Sequence, residues 1–148
     1  MSRGSASALG RLRRWRDFQE ARVRAEHQRR EGERMRCESE SERVGEAAQS
    51  MQRQRAGLLE APELDLDRIA QAAAIETHAW KTVERAGEAL DAACEAVHQA
   101  RVAHLRAREA SRVVAQRHAR REAEAASREE KALFDQMADV LAARRTPR

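Results

Sequence analysis

The chain of 148 residues has no tyrosine, two prolines (Pro62 and Pro147) and four large aromatic side chains: Trp15, Phe18, Trp80 and Phe134. Leu, Ile, Val and Phe number 22 together, about 15% of the chain, below the usual floor for a globular core. A layered α/β domain is excluded, because it needs more apolar mass and more turns than this. No run of about 18 apolar residues occurs, so no segment is expected to span a membrane. Residues 1–10 lack a continuous apolar core of signal-peptide length, and a cytoplasmic location is expected. The two cysteines, Cys37 and Cys94, suit a reducing compartment and form no metal-type cluster.

What is abundant is Ala, Arg, Glu and Leu, the composition of a long helix or coiled coil. Disorder is the competing reading, but it favours high net charge. Here the net charge is only +4 from 29 bases and 25 acids, and the signs alternate. Only two lysines accompany 27 arginines, a bias that reflects a GC-rich coding background more than any partner. Pro62 is the only internal breaker, since proline removes a backbone donor and clashes with the preceding helical turn. The expected fold is therefore all-α: an antiparallel two-helix coiled-coil hairpin with a longer second helix. One elongated domain is expected, with helix 1 over about 7–58, a turn over about 59–66 and helix 2 over about 67–144. Asp65 or Asp67 is placed to cap helix 2.

Every seventh position of helix 1 reads Leu9, Arg16, Val23, Arg30, Cys37, Val44, Met51 and Leu58, one sustained heptad position. Its companion, Leu12, Gln19, Glu26, Glu33, Glu40, Ala47 and Gln54, is mostly polar. So thin a seam needs a partner helix. The facing stripe of helix 2 reads Leu66, Ile69, Ala73, Trp80, Val83, Gly87, Leu90, Cys94, Val97, Arg101 and His104. A short symmetrical turn sets residues opposite when their numbers add to about 124. Val44 is then expected against Trp80, Val23 against Arg101 and Phe18 against Leu105. Cys37 is expected against Gly87 and Cys94 against Arg30, so both thiols should be free. Roughly the last 25 residues overhang without an intramolecular partner. Residues 62–98 carry 3 bases and 8 acids, while residues 99–148 carry 12 bases and 7 acids. An acidic tip and a basic open end follow, and they should prefer different partners.

No catalytic or ligand motif emerges. The histidines His27, His78, His98, His104 and His118 do not pair four apart on one helical face, and His104 reads as a polar seam residue. The glycines are isolated, so no phosphate loop exists. No enzyme activity, cofactor or metal is expected. Arg11, Arg13, Arg14 and Arg16 cluster, as do Arg117, Arg120 and Arg121, but acids are mixed through both arms. A basic-region zipper keeps its basic helix nearly free of acids, so nucleic acid is an unlikely partner. Trp15 and Phe18 have two readings: packing across the open end, or an exposed anchor for a protein partner. In the overhang, Phe134, Met137 and Leu141 form one stripe that is expected to dock elsewhere.

The tail Lys131-Ala132-Leu133-Phe134-Asp135-Gln136-Met137-Ala138, followed by Ala142-Ala143-Arg144-Arg145, resembles the end of the FliJ family. Those proteins close with an Asp-Glu-hydrophobic-Ala element and a basic tail; Gln136 departs from the usual Glu. Length, scarce aromatics and the two-helix layout also match, and the YscO (SctO) stalk proteins of injectisomes share the plan. The resemblance implies a cytoplasmic stalk, peripheral to the inner-membrane apparatus of type III secretion. Such a stalk enters and stimulates a hexameric export ATPase. It also contacts the cytoplasmic domain of the export gate and escorts substrate chaperones. On this basis the ATPase-binding candidates are Leu12, Trp15, Phe18, Leu133, Phe134, Asp135, Met137, Ala138, Leu141, Arg144 and Arg145. For the family's aromatic–Leu gate-binding pair the candidates are Ile69 with Ala73, or Ile75 with Ala79. A generic coiled-coil scaffold or homodimerising adaptor is the alternative.

Overall fold

Two segments dense in helix formers, separated by one proline-bearing stretch, give two helices. The computed structural model describes the backbone from Arg3 to Arg145 and the side chains of residues 8–144. Helix α1 is Arg3–Leu59 and helix α2 is Leu66–Arg145, with 57 and 80 residues. The fold is all-α, with no strand among the described residues. The second helix is the longer, as expected. Among the described residues, no helix is long and apolar enough to cross a membrane.

Residues 60–65 interrupt the helical backbone around Pro62. The last α1-type bond runs from the Glu60 N–H to the Ala56 carbonyl. Helix α2 then starts on Asp65, whose carboxylate Oδ1 accepts from the Asp67 and Arg68 amides, each at 3.1 Å. Asp65, the first of the two expected capping residues, is thus the N-cap, meeting donors that the helix cannot satisfy itself.

The chain resolves into two compact units. The turn unit, Val23–His104, holds both sides of the hairpin turn. The expected heptad column of α1 faces inward throughout this unit: Val23, Arg30, Cys37, Met51 and Leu58 are half-buried and Val44 is buried. The companion column differs by one residue. His27, Arg34, Ser41, Ala48 and Arg55 turn inward, with Ala48 fully covered at 0% exposure, whereas Glu40, Ala47 and Gln54 are exposed.

A matching correction applies to α2. Ile69, Val83, Leu90, Val97 and His104 are half-buried as expected, but Leu66, Trp80, Cys94 and Arg101 are exposed. Their places are taken by Ala72, Ala79, Ala86, Ala93 and Ala100, all buried or half-buried at intervals of seven. An alanine column removes bulk from the seam, and interhelical distance follows side-chain size at the contact. Trp80, 41% exposed, would hold the helices apart where Ala79 lets them close.

The pairing is also offset from expectation by one heptad. Arg55 pairs with Glu76, which is only 9% exposed, and the His27 and His104 rings stack with centroids 6.0 Å apart. Both pairs have residue numbers adding to 131, not 124. The expected Val44–Trp80 and Val23–Arg101 pairings do not form, since Trp80 and Arg101 face outward. The reason lies in the turn. Leu66 begins α2 roughly 9 Å beyond the level where α1 stops at about 1.5 Å per residue, and residues 60–65 cross that gap. Heptad spacing defines the seam but repeats every seven residues, so it does not choose between registers one heptad apart.

The terminal unit comprises Met1–Arg22 with Leu105–Arg148. Leu9, Gly10, Arg16, Gln19 and Glu20 of α1 are half-buried, against Ala107, Ala110, Ser111, Val114, Ala115 and His118 of α2. The Ser111 hydroxyl, 6% exposed as a residue, donates to Asp17 Oδ1 at 2.6 Å. A Cβ added to Gly10 would lie 3.6 Å from His118 Nε2. Phe18 and Leu105 are both exposed, so that expected contact is absent. Ala125 is the last half-buried residue of α2, and residues 126–144 are exposed without interruption.

Candidate functional site

Two surface arrangements stand out, both in the terminal unit. The first is the final stretch of α2. Helical spacing puts Leu133, Met137, Val140 and Leu141 along one face, with Phe134 at its edge. All five are exposed, Met137 at 61%. Leu133, Gln136, Met137, Val140, Leu141 and Arg144 line one shallow groove. Asp135 and Ala138 are exposed beside this stripe. Arg145 closes α2, and its side chain lies outside the described residues.

Monomeric surfaces carry single apolar residues freely, but a contiguous stripe this apolar costs free energy in water. Its length, at least two helical turns, matches the i, i+3, i+7 anchors by which helices bind grooves or other helices.

The second arrangement is the first part of α1. Leu12, Trp15 and Phe18 are exposed, Phe18 at 63%. The Arg16 guanidinium carbon sits 4.8 Å from the Trp15 ring centroid, a cation–π contact that stiffens the ring. Trp15 is 50% exposed, so neither ring is buried between the helices. A further groove runs past Ala8, Leu9 and Leu12 to Arg117, Arg120 and Arg121. It joins an apolar floor from α1 to the guanidinium cluster of α2, with Glu124 beside it.

The four candidates for gate contact separate by exposure. Ile75 is exposed, Ile69 and Ala73 are half-buried, and Ala79 is buried in the alanine column. Ala79 therefore presents little surface, whereas its candidate companion Ile75 stands in water. The hydrophobic pairing of Ile69 with Ala73 packs inward within the turn unit.

Charge is local and mostly exposed. On α1, Arg30 bonds Glu26 Oε1 at 2.8 Å and Glu33 Oε2 at 3.0 Å. Arg34 joins Glu31 and Glu38, and Arg43 joins Glu40. The side-chain bond from Arg43 holds the Glu40 carboxyl below the usual carboxylate range. Donating to Glu26, Glu31 and Glu40 raises the pKa of Arg30, Arg34 and Arg43 respectively. This ladder stiffens one arm. Among the described residues, no three His, Cys, Asp or Glu side chains converge as a metal site would require. Comparison with protein-family models, curated proteins and solved structures gives no match to this chain.

Proposed function

We propose that the chain is a non-enzymatic stalk component of a type III secretion export apparatus. In this reading it binds and stimulates the hexameric export ATPase at the cytoplasmic side of the inner membrane. It also links that ATPase to the export gate and to substrate chaperones. The observation that carries the reading is the exposed stripe Leu133–Leu141 beyond Ala125, where α2 has no α1 opposite it. This stripe coincides with the segment that resembles the FliJ tail. Its apolar residues supply the buried area of a binding hot spot, and the Trp15–Phe18 anchors add aromatic surface of the kind hot spots favour.

Charge supports the same reading. The sequence of the terminal unit holds 17 Lys and Arg against 9 Asp and Glu, net +8. A basic surface is attracted to a pore lined with acidic groups, and that attraction weakens as salt shortens the Debye length. For gate contact, exposed Ile75 is the residue of the four candidates within reach of a partner.

The test is a pull-down of the cognate hexameric ATPase on the immobilised chain at low salt, together with ATP hydrolysis with and without the chain. Capture and a raised hydrolysis rate are expected; no capture at low salt overturns the proposal. A homodimerising coiled coil is the rival that the same exposed stripe favours. It predicts a concentration-dependent dimer by sedimentation and no effect on hydrolysis.

A further inference from the structure

The heptad offset in the turn unit has a chemical consequence for the two cysteines. The His27–His104 stack and the Arg55–Glu76 pair lie at two levels of the same unit. Counting ten residues along each arm from the histidines reaches Cys37 on α1 and Cys94 on α2. Counting eighteen residues from Arg55 and Glu76 reaches the same two. The cysteines are thus bracketed on both sides by pairs of identical register, and equal rise per residue places them level on the facing arms. In the register expected from a symmetrical turn they were far apart.

The two cysteines sit differently on the seam they share. Cys37 is half-buried on the α1 seam, so its side chain points at α2. Level with it, α2 presents Ala93 inward and Cys94 beside it at the seam's edge. The alanine column runs through this level, and small seam residues allow close approach of the two backbones. A disulfide needs Cα atoms no more than about 7 Å apart with converging Cβ vectors. The shared register sets the two cysteines level, and a seam narrowed by alanine keeps the distance to be closed short. Both thiols are free in the structure.

We infer that Cys37 and Cys94 form an oxidative modification site: a dithiol that a peroxide converts into an intramolecular disulfide stapling the turn unit in its observed register. Cys94, exposed, reacts first. Its thiolate sulfur attacks hydrogen peroxide and breaks the O–O bond, giving a sulfenic acid and hydroxide. The Cys37 thiolate then attacks that sulfur, forming the S–S bond and expelling the sulfenic oxygen as hydroxide; the two hydroxides take up the two protons that the thiols released on ionising. In sum, two thiols and one peroxide yield one disulfide and two waters. The sulfurs are oxidised by two electrons and the peroxide is reduced by two. The closed loop spans 57 residues and constrains the unfolded chain more than the folded one.

The test uses the full chain, reduced and freed of reductant, then treated with hydrogen peroxide at a few equivalents in native buffer. The expected product is 2 Da lighter at monomer mass, runs faster on a non-reducing gel, and yields a Cys37–Cys94 linked peptide. Its melting temperature should rise by roughly 10 °C and return on reduction. Cys37→Ser and Cys94→Ser should each abolish the fast band while leaving the reduced protein's helicity unchanged. A product that is only a disulfide-linked dimer, or only sulfinic acid, overturns the proposal. So does an intramolecular bond that forms in urea but not in native buffer. Because the readout needs no ATPase, its failure is separate from failure of the stalk reading.

Discussion

Between Val23 and His104 the two helices turn alanine inward and leave mostly charged side chains in water. Between Leu105 and Arg144 the same second helix ends with Leu, Phe, Met and Val in water and little left to bury. The turn unit holds 12 bases against 16 acids, net −4, and the terminal unit is net +8. A unit that spends its small residues on close helix contact is built to hold its own geometry. The turn unit exposes large apolar residues too, Met35, Leu64 and Ile75 among them, whereas the terminal unit gathers Leu133, Met137, Val140 and Leu141 along one face beside Arg144. Helix propensity is similar in both, so the difference lies in the presence of a facing helix and not in the local tendency to be helical.

The contrast is most sharply tested where the apolar surface is largest. Met137→Asp combined with Leu141→Asp should weaken capture of the export ATPase by roughly a hundredfold, about 2.8 kcal/mol, with circular-dichroism helicity unchanged. Loss of helicity instead would make the stripe structural and erase the distinction between the units. Next in size, Ala48→Leu should destabilise the chain by about 1–3 kcal/mol, because an extra isobutyl group has no room at a closed seam. Ala126→Leu, on the exposed tail, should change the urea midpoint by no more than about 0.5 kcal/mol equivalent. Equal effects from both substitutions would mean that the alanine column is not a packed seam.

A smaller effect is expected at the turn. Asp65→Ala removes the acceptor for two α2 amides and should cost about 1 kcal/mol, with Asp65→Asn recovering most of it in thermal melts. The smallest concerns pH. Glu40 has a depressed carboxyl pKa in the folded chain through its bond from Arg43. Its contribution is therefore complete above the unfolded carboxylate value and fades as pH falls through the lower folded one. Acidification from about pH 5 to about pH 2 should lower amide protection over residues 40–43, taken relative to the intrinsic exchange rate at each pH, and Arg43→Gln should flatten that dependence. The raised arginines stay charged throughout this window and add no slope.

Some of this was legible from residue type alone. The column Val23, Arg30, Cys37, Val44, Met51 and Leu58 could be read because apolar residues recur there against a charged background. The α2 column could not, because alanine is equally common on every face of this chain, with 31 copies. Its recurrence at Ala72, Ala79, Ala86, Ala93 and Ala100 gave no contrast, and the larger Trp80 drew the seam one residue aside. The groove of Leu9 and Leu12 with Arg117, Arg120 and Arg121 was likewise hidden, since its halves lie more than a hundred residues apart in sequence.

The sequence by itself determined that the chain is helical, that it breaks once at Pro62, that Asp65 can start the second helix, and that the second arm is longer. These follow from backbone sterics, local hydrogen bonds and propensities, which act within a few residues. Only the tertiary structure decided which heptad faces which. A coiled-coil pattern repeats every seven residues, so the opposing helix can slide by one repeat and present the same kind of seam. The asymmetric crossing of residues 60–65 selects one of those positions. That choice sets Glu76 against Arg55 and draws Cys37 level with Cys94.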